Sequence, residues 1–186
     1  MISHQKKFIF THIPRTGGTS VEFVIEKYVE YHKRHNERIR FIPRKYVKEY
    51  TNFSIIRNPW DRIVSIYEYG LQIHKGKYPI WCDMPFQEWV KNGLKVNKRA
   101  RVMKQIWSQL DWICDKRGNI LVDNLFRFED LNNEWKKIKK LLSINDDLPY
   151  LNSTKRDNYK SYYDDESIKV IEKLCKDDIK HFGYKF

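Results

Sequence analysis

Apolar and polar positions change period several times along the chain. Residues 8–13, FIFTHI, form a short continuous apolar run, which predicts a buried strand. The turn PRTGG, Pro14 to Gly18, ends it. From Thr19 the apolar residues Val21, Val24, Ile25, Tyr28 and Val29 lie on one helical face. Thr19 and Glu22 have the spacing of a capping box at the start of that helix. Residues 32–40, HKRHNERIR, are polar and mostly basic and break the pattern. A short helix is expected over 44–50 after Pro43, then a second apolar strand, FSII, at Phe53–Ile56. Asn58 as N-cap and Pro59 at the first helical position then open a helix. Its apolar face is Trp60, Ile63, Val64, Tyr67 and Leu71, with Trp60 read as a core residue.

Residues 76–85 read as a loop carrying Gly76, Pro79 and Pro85, followed by helical patterns at about 86–92 and 99–114. The segment ILVDNLFRF, 120–128, is strand-like, although Asp123 and Asn124 interrupt it. Leu131, Trp135, Ile138 and Leu142 mark a helix. A polar, Tyr-rich connection fills 143–163, and Ile168, Ile171, Leu174, Cys175 and Ile179 mark the last helix. Strands alternating with helices, without internal repeat or linker, predict an α/β fold. The expected form is one domain over residues 1–186, with a small central parallel sheet flanked by helices.

Composition narrows the class. At 186 residues, 41% hydrophobic and 15% aromatic, the chain suits a packed domain and not a disordered one. Seven glycines and six prolines exclude a collagen-like chain. No apolar run reaches 18 residues, so no membrane span is expected. The apolar stretch Phe8–Ile13 is too short for a signal sequence. Cys82, Cys114 and Cys175 are odd in number and widely spaced, which suggests neither a metal site nor a disulfide framework and fits a cytoplasmic setting. The net charge of +12 predicts an anionic partner: a nucleotide, a nucleic acid or an acidic glycan.

Two strand–turn–helix junctions carry the candidate chemistry. In the first, Gly17 and Gly18 let backbone N–H groups turn inward around an anion, and the helix N-terminus adds a favourable field. Arg15 supplies charge, and Thr16, Thr19 and Ser20 supply hydroxyl groups. The plainer reading is a tight turn that binds nothing. The loop is not a Walker A motif: it is shorter, and no Lys precedes its hydroxyls. In the second junction a strand delivers Arg57 to its C-terminal edge, with Ser65 eight residues on in the following helix. Asp61 and Arg62 cap and pair in the plainer reading of that helix. Two such sites beside one parallel sheet suggest a ligand with two separated anionic ends, lying across the carboxyl edge of the strands.

HIPRTGGTSVE followed by FSIIRNPWDRIVSIY resembles the sulfotransferase family, especially its carbohydrate-type branch. LFRFEDL, LNSTKRDNYKSYYDDES and DIKHFGYKF extend the resemblance over most of the chain. The resemblance implies the P-loop-kinase-like sulfotransferase fold, 3′-phosphoadenosine 5′-phosphosulfate (PAPS) as donor, PAP as product, and sulfuryl transfer to an acceptor hydroxyl or amine. It makes the first junction the 5′-phosphosulfate loop. It makes the second the 3′-phosphate site, held by Arg57 and Ser65. Lys155 and Arg156 would close over the nucleotide. The family usually has Lys where this chain has Arg15; Arg keeps the charge but does not readily donate a proton.

The scheme needs no metal, but it needs a base for the acceptor. Related sequences place a catalytic or acceptor-facing His between the first helix and the second strand, where this chain has His32 and His35. His35 is favoured over His32; Glu22, His12 or another carboxylate are the alternatives, and HKRHNER also reads as a solvated charge run. The acceptor is expected to be a glycan or other polyhydroxylated molecule, lined by Lys33–Arg40 and Lys95–Lys104. Two other classes compete. A nucleotide or nucleoside kinase is disfavoured by the missing Walker Lys. A basic nucleic-acid-binding module leaves both junctions unexplained.

Overall fold

The computed structural model describes residues 1–30, 37–73, 84–93, 108–149, 151 and 156–186. In chain order its main elements are β1 (Ile2–Ser3), β2 (Phe8–Thr11), α1 (Gly18–Ile25), α2 (Arg44–Glu49), β3 (Thr51–Ile56), α3 (Pro59–Ile73), β4 (Asn124–Arg127), α4 (Leu131–Leu142), α5 (Asp165–Leu174) and α6 (Lys176–Phe182). They form two compact units: Met1–Arg57 with Gln109–Ser153, and Asn58–Ser108 with Thr154–Phe186.

The first unit holds a four-stranded sheet of order β1-β2-β3-β4. β2 pairs with β3 and β3 with β4 in parallel, with Phe10 opposite Phe53 and Ile56 opposite Arg127. Parallel neighbours need long crossovers, and α1 and α2 lie within the one that joins β2 to β3. β2 is buried throughout and β3 beyond its first residue, so neither shows the alternation of a half-exposed strand, and the polar Thr11, Asn52 and Ser54 are buried with the apolar members. Phe8, Phe10, Phe53, Ile55 and Phe126 join Val21, Val24 and Ile25 of α1 and Trp135, Ile138 and Leu142 of α4 in one core. Phe10 stacks on Phe53 with centroids 4.8 Å apart. The result is an α/β fold around a mostly parallel sheet.

Three details depart from the pattern-based expectation. β1 is an added antiparallel strand, too short for any period to reveal. The strand expected over 120–128 is confined to Asn124–Arg127. Asn52 holds the chain just before it, donating to Asp123 Oδ2 at 2.9 Å and accepting from the Asp123 N–H at 2.5 Å, while Ile120 bridges instead to Cys114. The single last helix is two, because Cys175, at φ −108° and ψ 24°, leaves the helical region between α5 and α6. Leu174 is then exposed, whereas Ile171 and Cys175 are buried.

In the second unit Asn58 caps α3 as expected. Its Oδ1 accepts from the Trp60 N–H at 3.0 Å and the Asp61 N–H at 3.4 Å. Trp60 is buried against Phe186. Phe86 sits in an aromatic cluster with Tyr67, Trp89, Tyr162 and Tyr163. The pattern at 86–92 becomes one α-turn, Phe86–Glu88, followed by a wider turn at Trp89–Gly93. Of the helix expected over 99–114, Leu110–Ile113 is helical and 99–107 lies outside the described residues. Among the described residues no helix is long and apolar enough to cross a membrane.

Candidate functional site

The site grows from the C-terminal edge of β2. After Ile13 the chain turns sharply, and Arg15 and Gly17 both adopt left-handed backbone, at φ 69° and 79°. A left-handed non-glycine residue costs about 1–3 kcal/mol and persists only where its surroundings impose it. Left-handed residues in such a turn aim successive N–H groups into one concavity, the geometry that takes an anion. Gly17 is the N-cap of α1, and no side chain caps the helix. The capping box expected from Thr19 and Glu22 therefore does not form. Glu22 turns instead to His12, whose Nδ1 lies 2.9 Å from Glu22 Oε1 in a nearly buried pair.

His12 explains Gly18. A Cβ on Gly18 would lie 2.1 Å from the imidazole Cδ2 and 2.3 Å from Nε2. The imidazole stacks on Phe10, 5.9 Å between centroids and 14° between planes. The three loop hydroxyls have different uses. Thr16 is fully buried and donates to the Ile13 carbonyl at 2.8 Å, closing the turn. Ser20 is buried and its Oγ accepts from the Leu151 N–H at 3.2 Å. Thr19 is exposed on the first turn of α1.

Arg57 leaves the end of β3 beside this loop. Its side chain is buried, and its Nη1 donates to the Arg15 carbonyl at 2.9 Å. Its guanidinium carbon lies 3.9 Å from the centre of the Phe128 ring. Gln109, also buried, brackets the Arg57 peptide: Oε1 accepts from the Arg57 N–H and Nε2 donates to the Arg57 carbonyl, each at 2.8 Å. Neither Gln109 nor Phe128 is visible as a site residue in the sequence. A lone Gln in a helical pattern and a Phe at a strand end carry no local signal of what they meet.

The first unit thus assembles Arg15, Thr16, Gly17, Gly18, Thr19, Ser20 and Arg57. Ser65 and Arg156 belong to the second unit. Ser65 is buried in α3, and Arg156 is ion-paired with Asp61. Lys155, His32 and His35 lie outside the described residues, as do Lys95–Lys104 and the start of Lys33–Arg40. At the end of that last segment, Arg38 and Arg40 both bind Asp111, at 2.6 and 2.8 Å, and Arg38 sits 5.1 Å from the Trp112 ring.

The backbone of the turn suits a phosphate-like group: left-handed residues at Arg15 and Gly17 stand directly before the first turn of α1. Fold and loop together define an α/β protein with a tight glycine turn at a strand–helix junction. The model of the Sulfotransferase family matches residues 1–185, so the chain belongs to the sulfotransferase family, whose members are PAPS-dependent transferases. No curated protein and no solved structure matches the chain significantly.

Proposed function

We propose that this chain moves the sulfuryl group of PAPS to a hydroxyl or amine of a carbohydrate acceptor. The observation that carries the reading is the turn at residues 14–18, with Arg15 and Gly17 left-handed at the start of α1. PAPS supplies the sulfuryl group and a phosphate leaving group. The loop N–H groups and the α1 N-terminus hold the 5′ end, and Arg15 stabilises the negative charge that grows on the leaving oxygen. Arg15 acts as a fixed cation and not as an acid, because a guanidinium keeps its proton.

Arg57 and Ser65 bind the 3′-phosphate in this reading, on the support of their spacing in the sequence. Lys155 and Arg156 close over the nucleotide. His35, with His32 as the second candidate, takes the acceptor proton. The net charge of +12 supports a polyhydroxylated, acidic acceptor.

The test is calorimetric titration with PAP, ATP with Mg²⁺, and an oligonucleotide, followed by turnover with PAPS. PAP should bind without Mg²⁺ and in preference to the others. Arg15→Ala should raise the transfer barrier by at least about 2.7 kcal/mol, the scale of one lost oxyanion donor. Preference for ATP with Mg²⁺ would favour a kinase, and salt-steep oligonucleotide binding a nucleic-acid module. Either result, or near-normal turnover by the Arg15 variant, would overturn the corresponding part of the reading.

A further inference from the structure

Phe128 has no role in the scheme above, yet it touches both supports of the anion loop. The parallel register sets this up. Ile56 of β3 lies opposite Arg127 of β4, so the residues that follow, Arg57 and Phe128, leave the sheet side by side. The Arg57 guanidinium carbon sits 3.9 Å from the centre of the Phe128 ring, well inside the range of a cation–π contact. The same guanidinium donates to the carbonyl of Arg15 at 2.9 Å, and Arg15 is one of the two left-handed residues of the loop.

The other left-handed residue is Gly17. A Cβ there would lie 3.0 Å from Cδ2 and Cε2 of Phe128 and 3.0 Å from Cδ2 of Leu131. The ring therefore walls the loop at Gly17 and carries the group that holds it at Arg15. Two separate contacts, one apolar and one through Arg57, converge on the two residues that give the turn its shape.

We propose that Phe128 is the positioning residue of the anion loop: through the Arg57 guanidinium and the Gly17 backbone, its ring holds residues 15–17 in the conformation that receives the 5′-phosphosulfate. This rests on the reading of that loop given above. It also gives Arg57 a second duty. Besides the 3′-phosphate assigned to it, Arg57 acts on the 5′ end by fixing the Arg15 carbonyl. Phe128 touches no reacting atom in this account; it works through the loop.

The experiment compares Phe128→Leu, which keeps an apolar side chain but loses the aromatic face, with Phe128→Tyr, which keeps the face. Two readouts are taken. The first is amide hydrogen exchange of residues 15–18 in the protein without nucleotide. The second is calorimetric affinity for PAP and for adenosine 5′-phosphosulfate, which lacks the 3′-phosphate and engages the loop alone. Phe128→Leu should speed exchange at 15–18 and weaken both nucleotides by a similar factor, about fivefold on the scale of a lost cation–π contact. Phe128→Tyr should restore both readouts to near the native values.

If Phe128→Leu weakens PAP alone and leaves exchange unchanged, the ring serves only the 3′-phosphate end and the proposal falls. It falls as well if neither exchange nor affinity moves. If the native protein binds neither nucleotide, the nucleotide reading of the loop fails, and the exchange measurement alone decides the role of Phe128. Should Phe128→Leu not fold, Phe128→Met removes the aromatic face while keeping an unbranched apolar side chain and leaving Arg57 intact. Faster exchange at 15–18 in that variant supports the proposal, and unchanged exchange overturns it.

Discussion

At residue 18 the space a side chain would need is filled by an imidazole. The 2.1 Å between a Gly18 Cβ and His12 Cδ2 is closer than two such carbons approach, so one of them must move. His12 is poorly placed to yield, because it stacks on Phe10 and pairs with Glu22. Gly18→Ala should therefore destabilise the protein by about 1–3 kcal/mol, the usual cost of overpacking, and suppress PAP binding. Adding His12→Ala to Gly18→Ala should recover much of the stability, a coupling expected of residues in contact. Denaturant titration of the four members of that cycle checks this; strict additivity would show that His12 is not what Gly18 accommodates. The glycine pair and Arg15 stand out in the sequence as a candidate anion turn because their signal is local: residue type, order and position after a strand. The use of Thr16 and Ser20 is not legible in that way. Their partners, the Ile13 carbonyl and the Leu151 N–H, are set by how the chain closes around them.

Among the elements, α3 shows how a local signal succeeds. Asn58 accepts from the Trp60 and Asp61 N–H groups and also donates to the Lys185 carbonyl at 3.1 Å. Asn58→Ala should cost about 1–2 kcal/mol through loss of the cap. Asn58→Asp keeps the accepting oxygen and loses the donor to Lys185, so it should cost less. Thermal unfolding of the two variants settles the order, and an equal loss in both would assign the effect to Lys185 and not to the cap. The start of α1 shows the opposite case. Thr19 and Glu22 have capping-box spacing, but His12 competes for the Glu22 carboxylate and Gly17 takes the N-cap. The strand at 120–128 is shortened for a similar reason, since Asn52 on β3 claims the Asp123 peptide and carboxylate. Each failure comes from a partner outside the pattern being read, His12 just past β2 for Glu22 and Asn52 of β3 for Asp123, which period and capping rules do not include.

For the molecule as a whole, burial of titratable groups sets a pH limit. In the second unit burial, a hydrogen bond to Glu68 and the charge of that carboxylate push the Tyr162 hydroxyl up to about 12. Burial and the neighbouring Asp178 carboxylate push the Cys175 thiol up to about 12. Burial also raises Tyr163 well above its ordinary value. The unfolded chain releases these protons near the ordinary values of 9.0 for Cys and 10.0 for Tyr, while the folded chain retains them. The stability they contribute is complete below about pH 9 and is lost as pH rises towards about 12, because the unfolded state then binds fewer protons. Guanidinium midpoints should accordingly fall between about pH 8 and about pH 11, and Cys175→Ala with Tyr162→Phe should flatten the fall. A midpoint independent of pH over that range would contradict the burial of these groups. The sequence by itself determined the α/β class, β2, β3, α3 and α4, the glycine turn before α1 and the resemblance to sulfotransferases, because each rests on residues adjacent or periodic along the chain. Only the tertiary structure decided that Arg57 grips the Arg15 carbonyl, that Phe128 and Gln109 support it, and that Glu22 belongs to His12. Those contacts join residues up to tens of positions apart, brought together by strand register and side-chain burial, and no local pattern encodes them.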